Sequence, residues 1–353
     1  MSSVDIIVPC YRYGHYLREC VSSILAQSLR DLRVLIINDA SPDDTDKVAA
    51  ELVREDSRVS YIRHDVNRGH IDSYNEGIAW AGSDYLLLLS ADDYLLPGAL
   101  ERAANLMDSH PEIALAFGNA IEMDEQGRKN TTACIEFDGE EIVLGGGEFF
   151  RLSGPRNIVP TPTAVVRTRV QKKVGGYRKE LPHAGDMELW FRLAAHAPVG
   201  FIKEPQAVYR RHAANMSLAY STQRYLPDVQ QRRAALNCFF ESCASLVPET
   251  ARLRRNLFRG LAADALGLAN GAFNDGDADV SAELAAFAAE TSPAITRSSG
   301  WAKLTCKKML GTRNWKALRS HMRSAVALLH RVASKSFWSE VSTGARGCSD
   351  TAL

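Results

Sequence analysis

The chain has 353 residues, enough for one large or two modest domains with a full hydrophobic core. Its 46% apolar and 24% charged residues are ordinary for a folded globular protein and exclude a disordered or fibrous chain. The net charge is zero, yet residues 291–353 hold 11 basic and 2 acidic residues (+9), whereas residues 1–290 hold 31 and 40 (−9). This asymmetry predicts an acidic body and a basic tail that favours an anionic surface.

The cysteine pattern and the lengths of the apolar runs indicate the cellular compartment of the protein. Seven cysteines are scattered without a Cys-x-x-Cys pair, which argues against a disulfide framework or a structural zinc site. The first residues show no basic-then-apolar export pattern, and no run approaches the ~18–20 apolar residues that span a bilayer. We therefore expect a protein of the cytoplasm or of the inner face of the membrane.

Strands and helices alternate through the first half of the chain. Apolar runs predict strands over 4–8, 34–37, 59–63, 85–89 and 113–118. Helical periodicity predicts helices over 13–26, 70–81 and 97–109, with another beginning at Ser41-Pro42-Asp43-Asp44. This alternation predicts an α/β fold with a mainly parallel sheet flanked by helices.

The second half changes in character. Residues 157–167 are composed like an edge strand in spite of two prolines, and a helix is predicted over 187–195. From about residue 222 only helical patterns remain, at 223–243, 250–267, 277–290 and 315–334. The changes in structure class and in charge predict a catalytic domain over 1–220 and a helical domain over 221–353.

Polar residues follow three of the predicted strands. Asp92 and Asp93 come after the apolar run Tyr85–Leu89, and hard oxygen ligands of this kind suit Mg²⁺ or Mn²⁺, which commonly bridge a protein to a diphosphate. Asp39 ends the second strand, and Pro9-Cys10-Tyr11 ends the first. Asp39 alone is equally well explained as a helix cap. Three polar strand ends at one sheet edge favour a nucleotide site instead.

Taken together, these segments resemble a family 2 glycosyltransferase in their order and spacing. The resemblance covers roughly residues 3–220 and implies a GT-A fold, with a Rossmann-like mixed sheet, and inverting transfer from a nucleotide-sugar. The segments that carry it are Ile6-Ile7-Val8-Pro9-Cys10-Tyr11, Ile36-Ile37-Asn38-Asp39-Ala40-Ser41-Pro42-Asp43, Asn67-Arg68-Gly69, Asn75-Glu76-Gly77 and Ser90-Ala91-Asp92-Asp93.

The resemblance implies a role for each matching donor-side position. Asp39 would contact the base of the nucleotide, and Pro9 and Tyr11 would shape the pocket for base and ribose. Arg68 would lie near the nucleotide. Asp92, with Asp93 beside it, would hold the metal that neutralises the diphosphate.

Two later segments complete the resemblance. In Gly185-Asp186-Met187-Glu188, Asp186 falls on the position of the general base, although an ordinary helix cap would also explain it, and Glu188 is a second candidate base. In Tyr209-Arg210-Arg211-His212, the histidine would reach the metal, Mn²⁺ or Mg²⁺, and Arg210 would contact phosphate oxygens.

The sequence departs from the family in three places. Residue 90 is serine where many relatives carry an acid, so the metal site is expected to have one ligand fewer. Residue 185 is glycine where relatives often carry Glu before the catalytic Asp. The Gln-x-x-Arg-Trp motif of processive synthases is missing, as are membrane spans. These absences favour transfer of single sugars over extrusion of a polymer.

The basic region at 291–339 contains no Asp or Glu and is interleaved with Trp301, Trp315, Phe337 and Trp338. Basic residues with aromatic anchors fit a helix on an anionic membrane surface. A stripe packed on the catalytic domain fits equally well, and both interpretations stay open. Nucleic-acid binding is not expected, because no recognised nucleic-acid module accompanies the charge.

These observations predict an inverting, metal-dependent glycosyltransferase of surface polysaccharide or lipopolysaccharide assembly. The donor would be a nucleotide-sugar, with UDP- or dTDP-sugars favoured, and the acceptor a saccharide or a lipid-linked saccharide. A sugar nucleotidyltransferase is disfavoured because residues 10–15 are not glycine-rich, and a dinucleotide oxidoreductase because no Gly-x-Gly-x-x-Gly follows an early strand. A non-catalytic scaffold that recruits partners or membrane through its basic helices remains the alternative.

Overall fold

The computed structural model describes residues 2–131, 135, 137–216, 220 and 225–319. The chain divides into two compact units, Met1–Leu261 and Ala262–Leu353. The domain boundary predicted near residue 220 rests on composition rather than on compactness, and it stays a prediction.

The first unit is built on one mixed sheet. In the described part of the chain its strands are β1 Val4–Cys10, β2 Leu32–Asn38, β3 Val59–Arg63, β4 Tyr85–Leu88, β5 Tyr94–Leu95, β6 Leu115–Asp124, β7 Lys129–Thr131, β8 Glu141–Leu144, β9 Val165–Arg167 and β10 Val199–Arg211. Their order is β3-β2-β1-β4-β9-β6-β10-β5, with β7 beside β6 and β8 beside β10. The first four strands are mutually parallel, as are β6 and β10, whereas β5, β7, β8 and β9 pair antiparallel.

Helices flank this sheet, which confirms the predicted α/β class. They are α1 Gly14–Leu25, α2 Thr45–Glu55, α3 His70–Trp80, α4 Ala99–Ser109, α5 Gly146–Ser153, α6 Thr168–Val174, α7 Gly185–His196 and α8 Leu226–Cys243, with 3₁₀ turns at Thr161–Thr163 and Ala244–Leu246. Helix α9, Thr250–Asp275, contains the division between the units.

The second unit is helical wherever it is described. It contains α10 Ala278–Thr291, a 3₁₀ turn at Pro293–Arg297 and helical residues 299–319. The part of the predicted 315–334 helix beyond residue 319 lies outside the described residues. Within the ranges given above, no helix combines the length and the apolar character needed to cross a membrane.

Strand β1 is central because it is apolar enough to be buried on both faces. All seven of its residues are buried, and it pairs with β2 on one side and β4 on the other. Side chains from α1, α4 and the neighbouring strands complete the core around it. The carboxyl end of β1 is therefore held between two other strand ends.

Strand β10 was not predicted, and a bulge explains why. Its middle residues Lys203-Glu204-Pro205 interrupt the apolar pattern, and the register with β6 shifts between Ile202 and Ala207. Proline is tolerated in a strand at such a bulge. Opposite it, a Cβ on Gly118 would lie 2.8 Å from the Ile202 carbonyl oxygen, so the close approach requires glycine. Beyond the bulge, the strand continues to Arg211.

The strand predicted over 157–167 is wrong for most of its length. Residues Thr161–Thr163 form a 3₁₀ turn, and only Val165–Arg167 pair with β4 and β6. Pro160 and Pro162 lack the amide hydrogen that a ladder requires, so the chain turns before it pairs.

We predict that Gly77→Ala destabilises the first unit by about 1–3 kcal/mol, because overpacking forces the backbone to move. A Cβ at this position would lie 2.2 Å from Ile7 Cγ2, where α3 packs on β1. The measurement is the denaturant midpoint of the variant. Gly147→Ala is the matched control, since this helical glycine has no neighbour within 4 Å and the change should stabilise by up to about 1 kcal/mol. Equal midpoints for the two variants would contradict the packing argument.

Candidate active site

The predicted strand ends meet at one edge of the sheet. The amide of Asp39 donates to the Cys10 carbonyl at 3.0 Å, and the amide of Ala91 donates to the Pro9 carbonyl at 3.3 Å. The end of β1 is thus bonded on one side to the segment of Asp39 and on the other to the segment of Asp92. Open α/β sheets bind ligands in such crevices beyond the strand ends.

Two residues at this edge have left-handed backbone without being glycine. Arg12, just after β1, has φ of 65°, and Ala40, just after β2, has φ of 56°. Such conformations are costly for residues with a side chain and cluster at functional sites. Tyr11, which immediately precedes Arg12, is 41% exposed, whereas Pro9 is buried in β1. Of the two predicted pocket residues, Tyr11 is therefore the one with its ring open to solvent.

The Asp39 carboxylate fastens the loop that follows β3. Its Oδ1 accepts the amide of Arg68 at 2.7 Å and its Oδ2 accepts the amide of Gly69 at 2.9 Å. His64 Nδ1 lies 2.7 Å from Oδ1. Three donors occupy most of the roughly four acceptor positions of a carboxylate. Asp39 thus positions the loop of Arg68, whose guanidinium is half-exposed and lies 3.3 Å from Glu76.

One carboxylate oxygen of Asp92 has hydrogen-bond partners among the described residues, and the other has none. Its Oδ2 lies 3.0 Å from His212 Nε2 and accepts from Asn215 Nδ2 at 3.3 Å. Its Oδ1 is buried and has no hydrogen-bond partner among the residues described. A buried oxygen left without a partner is costly and points to a missing ligand. The sequence places Asp92 and His212 at one site, and in the structure they are in contact.

Asp93 and Arg210 lie on the other side of this turn. The amide of Arg210 donates to Asp93 Oδ1 at 2.9 Å, and burial, reinforced by the charge of Asp92, raises the pKa of Asp93 well above its ordinary value. The Arg210 guanidinium lies between the rings of Tyr16 and Tyr94, at 4.7 and 5.0 Å, and donates to Glu19 at 2.5 Å. Arg210 is therefore at the site, but its charge already has an acidic partner.

Asn215 is a site residue that the sequence analysis does not assign. Its side-chain Oδ1 accepts the backbone amide of His212 at 2.5 Å, and its backbone amide donates to the His212 carbonyl at 3.0 Å. Its side-chain Nδ2 donates to the Arg210 carbonyl at 3.2 Å. An asparagine three residues after a candidate ligand is a turn signal that could have identified it. Asn215 holds the turn that brings His212 to Asp92.

Asp186 lies in the first turn of α7, and the cap hypothesis for it is wrong. Ala184 occupies the N-cap position, and Asp186 Oδ2 instead accepts the Thr161 hydroxyl at 2.9 Å. Burial raises the pKa of Asp186, although the hydrogen bond from Thr161 and the nearby His70 oppose the rise. A carboxylate with a raised pKa is better matched to proton transfer near neutral pH.

The Tyr74 phenol on α3 is affected by the charges of both candidate acids, Asp186 and Asp92. Burial raises the pKa of its phenol, and the charges of Asp186 and Asp92 raise it further. Its ring packs on His70 at 5.3 Å and on Tyr177 at 5.1 Å. One side chain is thus close enough to both carboxylates to respond to their charge.

The motif Asn75-Glu76-Gly77 on α3 has a structural reason at each position. Asn75 donates to the Tyr177 carbonyl at 2.9 Å and accepts the Tyr177 amide at 2.7 Å. Glu76 lies 2.7 Å from His64 Nε2, and Gly77 allows α3 to approach β1. One turn of helix therefore supports both the loop bound by Asp39 and the segment that precedes Asp186.

Glu188, the second candidate base, has a structural role. It is 1% exposed, and its carboxylate accepts from Arg192 at 2.8 Å and from Arg178 at 3.0 Å. Arg192 also donates to the carbonyl of Gly176 at 2.8 Å. Both carboxylate oxygens of Glu188 are bonded to the guanidinium groups of Arg178 and Arg192, so Glu188 is not available as a base.

The residues at Asp92 fit a divalent cation. The Asp92 carboxylate has an unpartnered Oδ1, and His212 Nε2 lies 3.0 Å from its other oxygen, Oδ2; carboxylate and imidazole are both suitable ligands for Mn²⁺-type ions. Over the described ranges, no group of three or more His, Cys, Asp and Glu is arranged to hold a metal. The protein would thus supply two ligands, as suits an ion that completes its shell with water and phosphate.

Comparison with known proteins decides the family. Residues 5–175 match the family model described as Glycosyl transferase family 2. By this match, residues 5–175, just under half of the chain, form a glycosyl transferase family 2 domain. The matched segment includes Asp39 and Asp92, whereas Asp186 and His212 lie beyond it.

The curated relatives of this chain are distant. An uncharacterized Mycobacterium tuberculosis protein is 27% identical over 60% of this chain and 67% of its own length. Uncharacterized glycosyltransferases of Rickettsia felis and Rickettsia prowazekii are 25% and 24% identical over 56% and 60% of this chain. The match spans 32% of the first of these and 64% of the second, so it covers less than two thirds of either protein.

Solved structures with a similar fold include two glycosyltransferases. S. aureus TarS 1–349, solved in complex with UDP-GlcNAc, has a TM-score of 0.62 at 16% identity, with 92% of each chain covered. The mannosyltransferase PcManGT of Pyrobaculum calidifontis, solved with GDP-Man and Mn²⁺, has a TM-score of 0.51 at 17% identity, covering 88% of this chain and 86% of its own. The predicted GT-A-type fold is confirmed.

We predict opposite stability effects for two acids of α7. Glu188→Ala should lower the free energy of unfolding by about 3–5 kcal/mol, because it leaves the buried Arg192 guanidinium unpaired. Asp186→Asn should raise it at neutral pH, because the folded-state pKa of Asp186 exceeds the ordinary 3.8 and its ionisation therefore opposes folding.

The pH dependence provides the check. The gain from Asp186→Asn should be small below pH 3.8, increase as the pH rises through the folded-state pKa of Asp186, and then stay constant. Denaturant unfolding of both variants and the wild type over this range measures it. A gain that is the same at every pH would contradict the raised pKa.

Proposed function

We propose that this chain is an inverting, metal-dependent glycosyltransferase that moves a single sugar from a nucleotide-sugar to an acceptor hydroxyl. The observation that carries the proposal is the pairing of Asp92 with His212, 3.0 Å apart at the sheet edge, with a buried Asp92 oxygen left without a partner among the described residues. We propose Asp186 as the base, and its raised pKa supports this role.

On the donor side, Asp92 and His212 would hold Mn²⁺ or Mg²⁺, and Asn215 would keep the imidazole in place. A bound ion would neutralise the diphosphate and stabilise the charge that develops as the nucleotide leaves. Tyr11 would face base and ribose and Arg68 would lie near the nucleotide, since both side chains are partly exposed.

On the acceptor side, Asp186 would take the proton of the acceptor hydroxyl as that oxygen attacks the anomeric carbon. Attack on the face opposite the leaving diphosphate inverts the configuration, so one carboxylate suffices and no covalent intermediate forms. The raised pKa of Asp186 makes the transfer of this proton more favourable than it would be to an exposed carboxylate.

The solved neighbours support the proposed class of donor. TarS was solved with UDP-GlcNAc and PcManGT with GDP-Man, so both uridine and guanosine donors occur on this fold. We propose a nucleotide-sugar donor, with UDP- or dTDP-sugars favoured. A saccharide or lipid-linked saccharide acceptor, in surface polysaccharide or lipopolysaccharide assembly, is proposed with it.

A further part of the proposal is that the second unit binds an anionic membrane surface. Met309 is 82% exposed and Leu310 and Leu318 are 44% exposed, next to the exposed Lys308 and Lys316. Apolar side chains among basic ones, without acids from 291 to 339, fit the interface of anionic lipid. The enzyme would then act at the cytoplasmic face of the membrane.

Some predicted anchors are packed inside the second unit instead. Lys307 is 1% exposed and donates to the Asn270 side chain at 2.8 Å, and burial lowers its pKa. Trp315 donates to Asn274 Oδ1 at 2.7 Å. The membrane proposal therefore rests on Met309, Leu310 and their exposed basic neighbours.

The donor site is tested by thermal unfolding with UDP, dTDP, GDP and CDP, each with and without Mn²⁺. One nucleotide should stabilise the wild type in a metal-dependent way, by about 2.7 kcal/mol at a hundred times its Kd. Asp92→Ala should abolish the metal-dependent part. The exposed Glu101→Gln on α4 is the control and should behave as wild type. No stabilisation by any nucleotide would favour the non-catalytic scaffold.

Asp186→Asn separates catalysis from donor binding. It should keep the nucleotide response but lower the transfer rate by about 100- to 10,000-fold, the usual contribution of a general base. Release of the nucleotide from the matched donor, with a mixture of saccharide acceptors, measures the rate. Wild-type transfer by this variant would overturn the role of Asp186.

Vesicle sedimentation tests the membrane surface. The full chain should bind phosphatidylglycerol-containing vesicles more than pure phosphatidylcholine vesicles, and added salt should weaken the binding. The double variant Met309→Glu, Leu310→Glu should bind less. Leu152→Glu, at an exposed leucine of the first unit, is the matched control. Equal binding by both variants would contradict the proposed surface.

A further inference from the structure

Two polar side chains from distant parts of the chain face Asp186. The first is Thr161, whose hydroxyl donates to Asp186 Oδ2 at 2.9 Å. Thr161 begins the 3₁₀ turn Thr161–Thr163, which is anchored on the sheet because Thr163 Oγ1 donates to the Gly118 carbonyl at 3.1 Å and accepts the Gly118 amide at 3.2 Å. The hydroxyl of Thr161 is thus presented to Asp186 by a rigid support.

The second is Tyr177, whose buried hydroxyl makes no regular hydrogen bond in the part of the chain that is described. The Tyr177 ring lies at the start of α7, since a Cβ on Gly185, the neighbour of Asp186, would be 3.3 Å from it. In agreement, burial and then the charge of Asp186 raise the pKa of the phenol. Two hydrogen bonds between the Asn75 side chain and the backbone of Tyr177 fix the main chain there. A buried donor without a partner, held next to a carboxylate, is costly unless it is used.

The departure from the family at residue 185 fits this arrangement. A Cβ on Gly185 would lie 3.3 Å from the ring of Tyr177, a contact tighter than most. Glycine therefore leaves room for the phenol beside α7.

No other side chain orients Asp186 at the start of α7, as far as the described residues show. Ala184 at the N-cap contributes no polar group. The charged and titratable groups that face Asp186 are His70 on α3, His183 before α7, Tyr74 and Tyr177. A base delivers its full rate only when it is held in the productive geometry.

We propose that Thr161 and Tyr177 are positioning residues that orient the Asp186 carboxylate for proton transfer. Thr161 holds Oδ2, and Tyr177 donates to the carboxylate when the acceptor is bound, so that Oδ1 is left to receive the proton of the acceptor hydroxyl. Both positioning residues keep their own protons throughout. The inference rests on the proposed role of Asp186 as the base.

The test compares the pH profiles of kcat/KM for Thr161→Val, Thr161→Ser and Tyr177→Phe. Thr161→Val should lower kcat by about tenfold to a hundredfold, the effect of losing a hydrogen bond to a charged group. Because that bond stabilises the ionised carboxylate, its loss should move the acidic limb of the profile to higher pH. Tyr177→Phe should lower kcat in the same direction, and Thr161→Ser should restore both rate and profile.

Separate results identify each failure. Asp186→Asn with wild-type activity would overturn the proposed function itself. Inactive Asp186→Asn together with wild-type rates and profiles for Thr161→Val and Tyr177→Phe would overturn the positioning role alone. Equal losses in Thr161→Val and Thr161→Ser, or a rate loss without a shift of the acidic limb, would show a structural role for Thr161. Nucleotide-induced stabilisation should be unchanged in all three variants.

A separate experiment tests His70, because its charge also lowers the pKa of Asp186. In a His70→Asn background the shift caused by Thr161→Val should persist. A shift that disappears in this background would assign the acidic limb to His70 and overturn the inference.

Discussion

Two adjacent carboxylates with almost no access to solvent are the constraint on which the site depends. Asp92 is 5% exposed and Asp93 is 2% exposed, and such charges are tolerated only with donors or a cation beside them. The donors come from the end of β10, through the amide of Arg210 and the side chains of His212 and Asn215. One oxygen of Asp92 is still without a donor in the described structure. This unmet negative charge suits a cation, which could in turn attract a diphosphate.

Helix α3 gives the donor and acceptor sides a common support. Glu76 holds His64, which bonds to Asp39, and Asn75 holds the backbone of Tyr177 near Asp186. The helix can serve both because Gly77 brings it against β1. A displacement of α3 would therefore move the nucleotide loop and the surroundings of the candidate base together.

Sequence reasoning finds the residues that follow apolar strands, because strand ends are local signals. It identifies Asp39 and Asp92 for this reason, and the fold class with them. It does not find Thr161 or Asn215, whose importance comes from contacts with residues far away in the chain. Strand β10 was hidden in the same way, because its bulge breaks the alternation that marks a strand. Local pattern thus gives the frame of the site, and tertiary contacts complete it.

The return of β10 to the sheet edge has a consequence for folding. The bonds that close the metal-side pocket join residues 117 to 123 positions apart. Loop closure over such separations is entropically costly, so these contacts are expected after the parallel strands β1–β4 have paired. A nascent chain that has not yet emerged to Asn215 can hold its first strands, yet it lacks the donors for its buried carboxylates. Nucleotide binding at the proposed site would therefore report that the chain has folded as far as Asn215.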